Sequence, residues 1–211
     1  MVGAQRRIER DTLEFGRIAN LSDGVFAIAM TLLVLGLEVP DTSVAPLAEQ
    51  LRERLPNLIA FLLGFGLVGN VWWSHHKFVG QVAAFDPGLL RLNLLFLGVV
   101  ALAPFPTGML GSAPTDRWAV IPFIGLFVVL LALSVAMVGR AHALGLWRWP
   151  LSPAMYRWVR LSWFAALGVM ATAALVALVS PVAGLVVAAL SGTVVEPLIV
   201  RRAPRGYVER S

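Results

Sequence analysis

Long apolar stretches alternate with short polar ones along almost the whole chain. Crossing a bilayer core takes about 20 helical residues at about 1.5 Å each. Six stretches approach or reach that length, at residues 18–37, 56–74, 92–111, 118–139, 161–179 and 181–200. None alternates with the period of a strand, and lipid offers backbone groups no hydrogen bonds, so each is expected to be a helix. The pattern predicts an all-α membrane protein with six transmembrane helices in one domain, residues 18–200. Residues 1–17 and 201–211 are expected to form a cytoplasmic N-terminal segment and a cytoplasmic tail. Ser22 and Asp23 interrupt the first stretch and no small-residue cleavage site follows, which reads as a span and not as a signal peptide. In the acidic loop after span one, Leu47, Leu51 and Leu55 recur at helical spacing and predict a short amphipathic cap.

Composition narrows the class further. Hydrophobic residues make up 58% of the 211 and charged ones 14%, against about 25% charged in soluble domains. A soluble enzyme, a nucleic-acid binder and a disordered linker are therefore excluded as expectations, and the bilayer becomes the first partner. The net charge of +5 reads as a topology signal. Alternating the six spans puts 14 of the 17 basic residues on one side and only Arg52, Arg54 and Arg117 on the other. By the positive-inside rule the richer side, with both termini, is cytoplasmic, and the chain is a multi-pass protein of the cell membrane. Trp72, Trp73, Trp118, Trp147, Trp149 and Trp158 lie near span ends, where indole rings anchor at the interface.

Chemistry-bearing residues are sparse. With no cysteine there is no disulfide or thiolate metal site. His75 and His76 are adjacent, point to different sides of a helix and have no third ligand at suitable spacing. No metal, cofactor or catalytic residue is expected. The Thr-Val-Gly-Tyr-Gly filter, the Walker loop, the arginine-repeat voltage sensor and transporter-type internal repeats are missing from the sequence. What remains is a set of polar groups inside or at the ends of spans: Ser22, Asp23 and Thr31 in span one, Asn70 to Lys77 at the end of span two, Arg91 and Asn93 at the start of span three, and Glu196 in span six. Charged groups in spans cost free energy and mark function or a buried latch. At about 100° per residue, Ile28, Thr31, Leu32 and Leu35 share one face of helix one, while Asp23 lies about 140° away from Ile28. Asp23 is expected to point toward helices two and three.

The segment Arg17-Ile-Ala-Asn-Leu-Ser-Asp-Gly-Val-Phe-Ala-Ile-Ala-Met-Thr-Leu-Leu-Val-Leu35 resembles the first-helix signature of the transmembrane protein 175 family of potassium channels, in its bacterial branch. The family pattern is Arg-x-x-x-Phe-Ser-Asp. Arg17, Ser22 and Asp23 match, and Leu21 stands where Phe is usual. The run Trp72-Trp73-Ser-His-His76 and Asn93 also fit. The resemblance implies a homotetramer with helix one lining a central pore and potassium ions as the preferred cargo over other monovalent cations. It further implies a hydrophobic constriction at Ile28, with Leu32 and Leu35 beyond it and Thr31 contributing to selectivity. Arg17, Ser22, Asp23, Trp73, His76 and Asn93 would form a polar network that holds helix one. Two other readings compete. One is a secondary, proton-coupled transporter using Asp23, His76 and Glu196, and the other a membrane scaffold whose apolar stripe is an oligomer seam.

Overall fold

The computed structural model describes residues 7–41 and 43–190. Among them, five helical spans are long and apolar enough to cross a membrane. A short apolar helix, Pro181–Leu190, follows as α8 at the edge of the described residues. The rest of the expected sixth span, with Glu196, and the tail 201–211 lie outside them.

Capping chemistry decides where the helices start. α1 (Leu13–Leu32) begins at Thr12, whose Oγ1 accepts from Phe15 N–H at 3.3 Å. Asp86 caps α4 (Pro87–Ala101) by accepting from the N–H groups of Gly88 and Leu89. Asp116 caps α6 (Arg117–Ala143), and Ser152 caps α7 (Pro153–Val179). In each case a side-chain oxygen takes over an N–H that has no partner in the first helical turn. Three spans run past their apolar stretches. α3 (Leu55–Gln81) and α6 extend into polar residues at their ends, and α7 starts eight residues before the stretch that predicts it.

The third span differs from the continuous helix expected over 92–111. It is α4 followed by α5 (Pro104–Ser112), with a break at Leu102 and Ala103. Pro104 and Pro106 cause it, because neither offers an N–H to the preceding turn and their rings crowd it. α1 also changes character at its far end, tightening into a 3-10 turn at Leu33–Gly36. In the loop that follows, the amphipathic α2 (Leu47–Glu53) forms as expected, but Leu47, Leu51 and Leu55 are about half exposed. The side chain buried there is Gln50, which donates to the carbonyls of Asp41 and Ala45 and accepts from Asp41 N–H. A buried amide that satisfies three backbone groups outcompetes the leucines for the interior.

α1 packs against α3, α4 and α5, while α7 packs against α6 and α8. The core between them is aromatic and aliphatic, with Phe26, Phe85, Phe96, Phe123 and Phe127 nearly inaccessible. At one end of the bundle the chain is knitted together by short backbone pairings. Strands β1 (Ile8–Glu9) and β2 (Ala84–Phe85) pair antiparallel, and Val82 bridges Trp147. Arg10 donates to the carbonyls of Val79 and Val82. Gly145, at φ +63°, turns the chain out of α6 into this layer. The start of α1, the end of α3, the start of α4 and the α6–α7 turn are thereby held in one block.

Candidate functional site

α1 presents two faces of different chemistry. Phe15, Ser22, Phe26, Ala29 and Leu33 recur at seven-, four- and three-residue steps and are all buried. Roughly 200° round from Phe26, Ile28 is 61% exposed, and Leu32 and Leu35 are 41% and 74% exposed. Thr31 is also exposed on that side. Residues at i and i+3 eclipse in a 3-10 turn, so Leu35 stays in line with Leu32 after the α-helix ends. The four residues expected to share a face therefore share it.

The buried face is tied down by two polar arms. In the first, Ser22 Oγ donates to the Ile18 carbonyl at 2.9 Å and accepts from Asn93 Nδ2 at 3.2 Å. Asn93 Oδ1 lies 2.8 Å from His75 Nε2. With the Asn93 amide donating to Ser22, His75 must donate through Nε2, so the chain runs His75 to Asn93 to Ser22 to a backbone carbonyl. Ser22, Asn93 and His75 are all buried. The His75 ring stacks on Phe96 at 4.9 Å and 10°, which fixes its plane. A buried polar chain with each member paired rigidifies what it joins.

The second arm is partly open. Trp72 Nε1 donates to Asp23 Oδ1 at 2.9 Å, and His76 Nδ1 lies 3.8 Å from the same oxygen. The Asp23 side chain is 47% exposed. Asp23 thus reaches helix two, and Ser22, not Asp23, reaches helix three. Trp73 has no bond to Asp23. It stacks on His76 at 6.4 Å and 11°, and Lys77 Nζ lies over its ring at 5.2 Å from the centroid. Arg17 is exposed.

Two participants were missed in the sequence. Trp72 makes the indole bond to Asp23, where the resemblance had assigned Trp73 to the network. His75 belongs to the buried stripe Ala60, Gly64, Val68, His75 and Val79 of α3, and that helical register was the signal. The latch also has a foundation. Asp86, which caps the helix bearing Asn93, takes a bidentate grip from Arg140, with Nε to Oδ1 at 3.0 Å and Nη2 to Oδ2 at 2.6 Å. The Arg140 guanidinium holds the Asp86 carboxyl down at about 2. Among the described residues no three His, Asp or Glu side chains converge as a metal site would require.

Residues 17–104, which contain both arms and the exposed aliphatic stripe, match the family model described as the endosomal/lysosomal potassium channel TMEM175. A potassium channel of Streptomyces collinus is 38% identical over 125 residues, covering 58% of this chain and 61% of that relative. One from Chamaesiphon minutus is 37% identical over 123 residues, with coverage of 56% and 61%. The human endosomal/lysosomal proton channel TMEM175 is 34% identical over 113 residues, 22% of its length. The chain thus spans about three-fifths of the bacterial relatives it matches. The solved crystal structure of a lysosomal potassium-selective channel TMEM175 homolog from Chamaesiphon minutus superposes with a TM-score of 0.79 at 26% identity. That likeness covers 89% of this chain and 99% of the other. In sequence over residues 17–104 and in fold over 89% of its length, this multi-pass membrane chain is similar to the TMEM175 family.

Proposed function

We propose that the chain is one subunit of a potassium-preferring cation channel, a homotetramer in which four copies of α1 surround the ion path. One observation carries this reading: α1 has an aliphatic face left bare by its own chain, opposite a face anchored by buried hydrogen bonds. The relatives named as potassium channels support the cargo. In this arrangement Ile28 forms the narrowest ring, with Leu32 and Leu35 lining the path beyond it. Branched aliphatics at a constriction gate by excluding water, without any charge. Potassium holds its hydration shell less tightly than sodium, so crossing a dry ring favours it.

Thr31 fits a selectivity role by its geometry. Its hydroxyl donates to the Ile28 carbonyl at 2.9 Å, which leaves the oxygen lone pairs free to replace water around a passing cation. Ser22, Asp23, His76 and Asn93 act as the holding network, joined by Trp72 and His75, with Trp73 stacked on His76. Both termini lie on the cytoplasmic side by the charge asymmetry, and the membrane domain covers residues 18–200. The test is purified protein in liposomes with a potassium gradient and a flux dye, alongside the mass of the oligomer. Unitary conductance steps, flux independent of a second gradient and a tetrameric mass support the channel. Saturable flux coupled to protons would instead support a carrier built on Asp23, His76 and Glu196, and no flux would leave a scaffold.

A further inference from the structure

The basic residues at the knitted end of the bundle differ in their company. Near α1 and α4, acidic side chains are interspersed with the arginines, and Asp86 engages Arg140. From residue 117 to residue 195 the chain contains no Asp or Glu at all. Arg148, Arg157 and Arg160 fall in that stretch and are exposed. Among the described residues, no carboxylate pairs with any of the three. Two of the guanidiniums lie along aromatic faces, Arg148 at 4.3 Å from the Trp149 centroid and Arg160 at 5.7 Å from that of Tyr156. Such stacking steadies the cation without neutralising it.

The surface on which they sit has a direction. Arg157, Arg160, Leu161 and Phe164 are spaced i, i+3, i+4 and i+7, on one exposed side of α7. Leu161 is 66% exposed and Phe164 50%. Further along α7 the same side stays exposed and uncharged. Arg160 lies seven residues into the helix, about 11 Å along its axis, so both arginines sit within the first turns of a membrane-spanning element. The backbone of Arg148 is pinned by its N–H donating to the Gln81 carbonyl at 2.8 Å, which fixes the third cation to the same end.

We propose that this face of α7, together with Arg148, seats an anionic phospholipid. The arginines take the phosphate headgroup and Leu161 and Phe164 take the start of the acyl chain. Arginine forks match phosphate oxygens geometrically, and the switch from cationic to apolar along one helix face matches an amphiphile. A free anion in water would have no use for the apolar continuation. The seat depends on α7 lying in a membrane and not on the pore assignment.

The experiment is native mass spectrometry of the purified full chain, titrated with phosphatidylglycerol or phosphatidylcholine of identical acyl chains. Wild type is expected to retain phosphatidylglycerol in preference. Arg157→Gln and Arg160→Gln should each lower that retention about fivefold, with phosphatidylcholine retention unchanged. Arg52→Gln, at the opposite end, should alter neither. Arg148→Gln provides an independent variant outside the helix and should also lower phosphatidylglycerol retention. Inorganic phosphate should fail to displace the lipid. Equal retention of the two lipids by wild type would overturn the proposal, as would displacement by inorganic phosphate or unchanged retention in all three variants. A loss of oligomer mass in the α7 variants with lipid preference intact would overturn it too, assigning the face to contact between copies.

Discussion

The two sides of α1 come from one 20-residue helix, yet they answer to different partners. On one side, Phe15, Ser22, Phe26, Ala29 and Leu33 are 5% exposed or less, and a chain of hydrogen bonds crosses to α4 and α3. On the other, Ile28, Leu32 and Leu35 are 61%, 41% and 74% exposed, and Thr31 is exposed too. Local propensity cannot separate the two, since both are apolar and helical. In a membrane protein, apolar exposure alone does not separate lipid contact from a pore. The anchored side fixes rotation about the helix axis and so sets which face is left bare. A slip of one residue would swing each side chain about 100° and break both polar arms. What the latch specifies is therefore which residues of α1 stay on the bare face.

Perturbing the foundation of the anchored side should have the largest effect. Asp86→Ala removes the cap of α4 and strips Arg140 of its partner, at a cost of about 3 kcal/mol, readable as a lower melting temperature in detergent. The carboxyl of Asp86 is held at about 2 against an ordinary 3.8. Its contribution is therefore complete above pH 3.8 and is lost as pH falls through about 2. Melts between pH 5 and pH 2 should show a steeper acid loss in wild type than in Asp86→Ala.

Within the latch, the closed arm should matter more than the open one. Asn93→Ala leaves His75 and Ser22 without their shared partner in a buried site, at about 2 kcal/mol. Asp23→Ala removes a half-exposed group and should cost about 1 kcal/mol or less, lowering melting temperature and tetramer yield more than ion preference. If the Asp23 variant assembles normally and changes only ion preference, Asp23 belongs to the ion path. Thr31→Val, on the bare side, should leave stability unchanged. Its potassium-over-sodium preference in bi-ionic reversal potentials should fall by up to about fivefold, the worth of one contact of about 1 kcal/mol. An unchanged preference would move selection to the aliphatic rings.

Much of this division was legible in the chain. Hydrophobic stretches located the spans, and the angle of Asp23 relative to Ile28 separated two sides of helix one, although Ser22 and not the half-exposed Asp23 is the buried group. Other features were hidden for physical reasons. The break at Leu102 and Ala103 falls inside an unbroken apolar run, and only the two prolines beyond it announce it. The choice of Trp72 over Trp73 depends on how α3 is rotated against α1, one step of about 100°, which only the packing of the two helices sets. His75 reads as half of a His-His pair until its register with Val68 and Gly64 is considered. The leucines of α2 promised an apolar cap, while Gln50 won the interior through backbone bonds that residue type alone does not disclose.

The bare side is tested most directly at Ile28. Ile28→Asn and Ile28→Ala should be reconstituted at matched density in liposomes, with tetramer content checked, and potassium and sodium flux measured in each. If four Ile28 side chains form the dry constriction, the Asn variant holds water there and the Ala variant widens the ring. Basal flux should then rise about tenfold or more, equivalent to about 1.4 kcal/mol less dehydration cost, with weaker preference for potassium. A lipid-facing Ile28 predicts poorer insertion of the Asn variant and no change in flux per assembled channel. Intact tetramers of both variants with wild-type flux and wild-type selectivity would contradict the constriction.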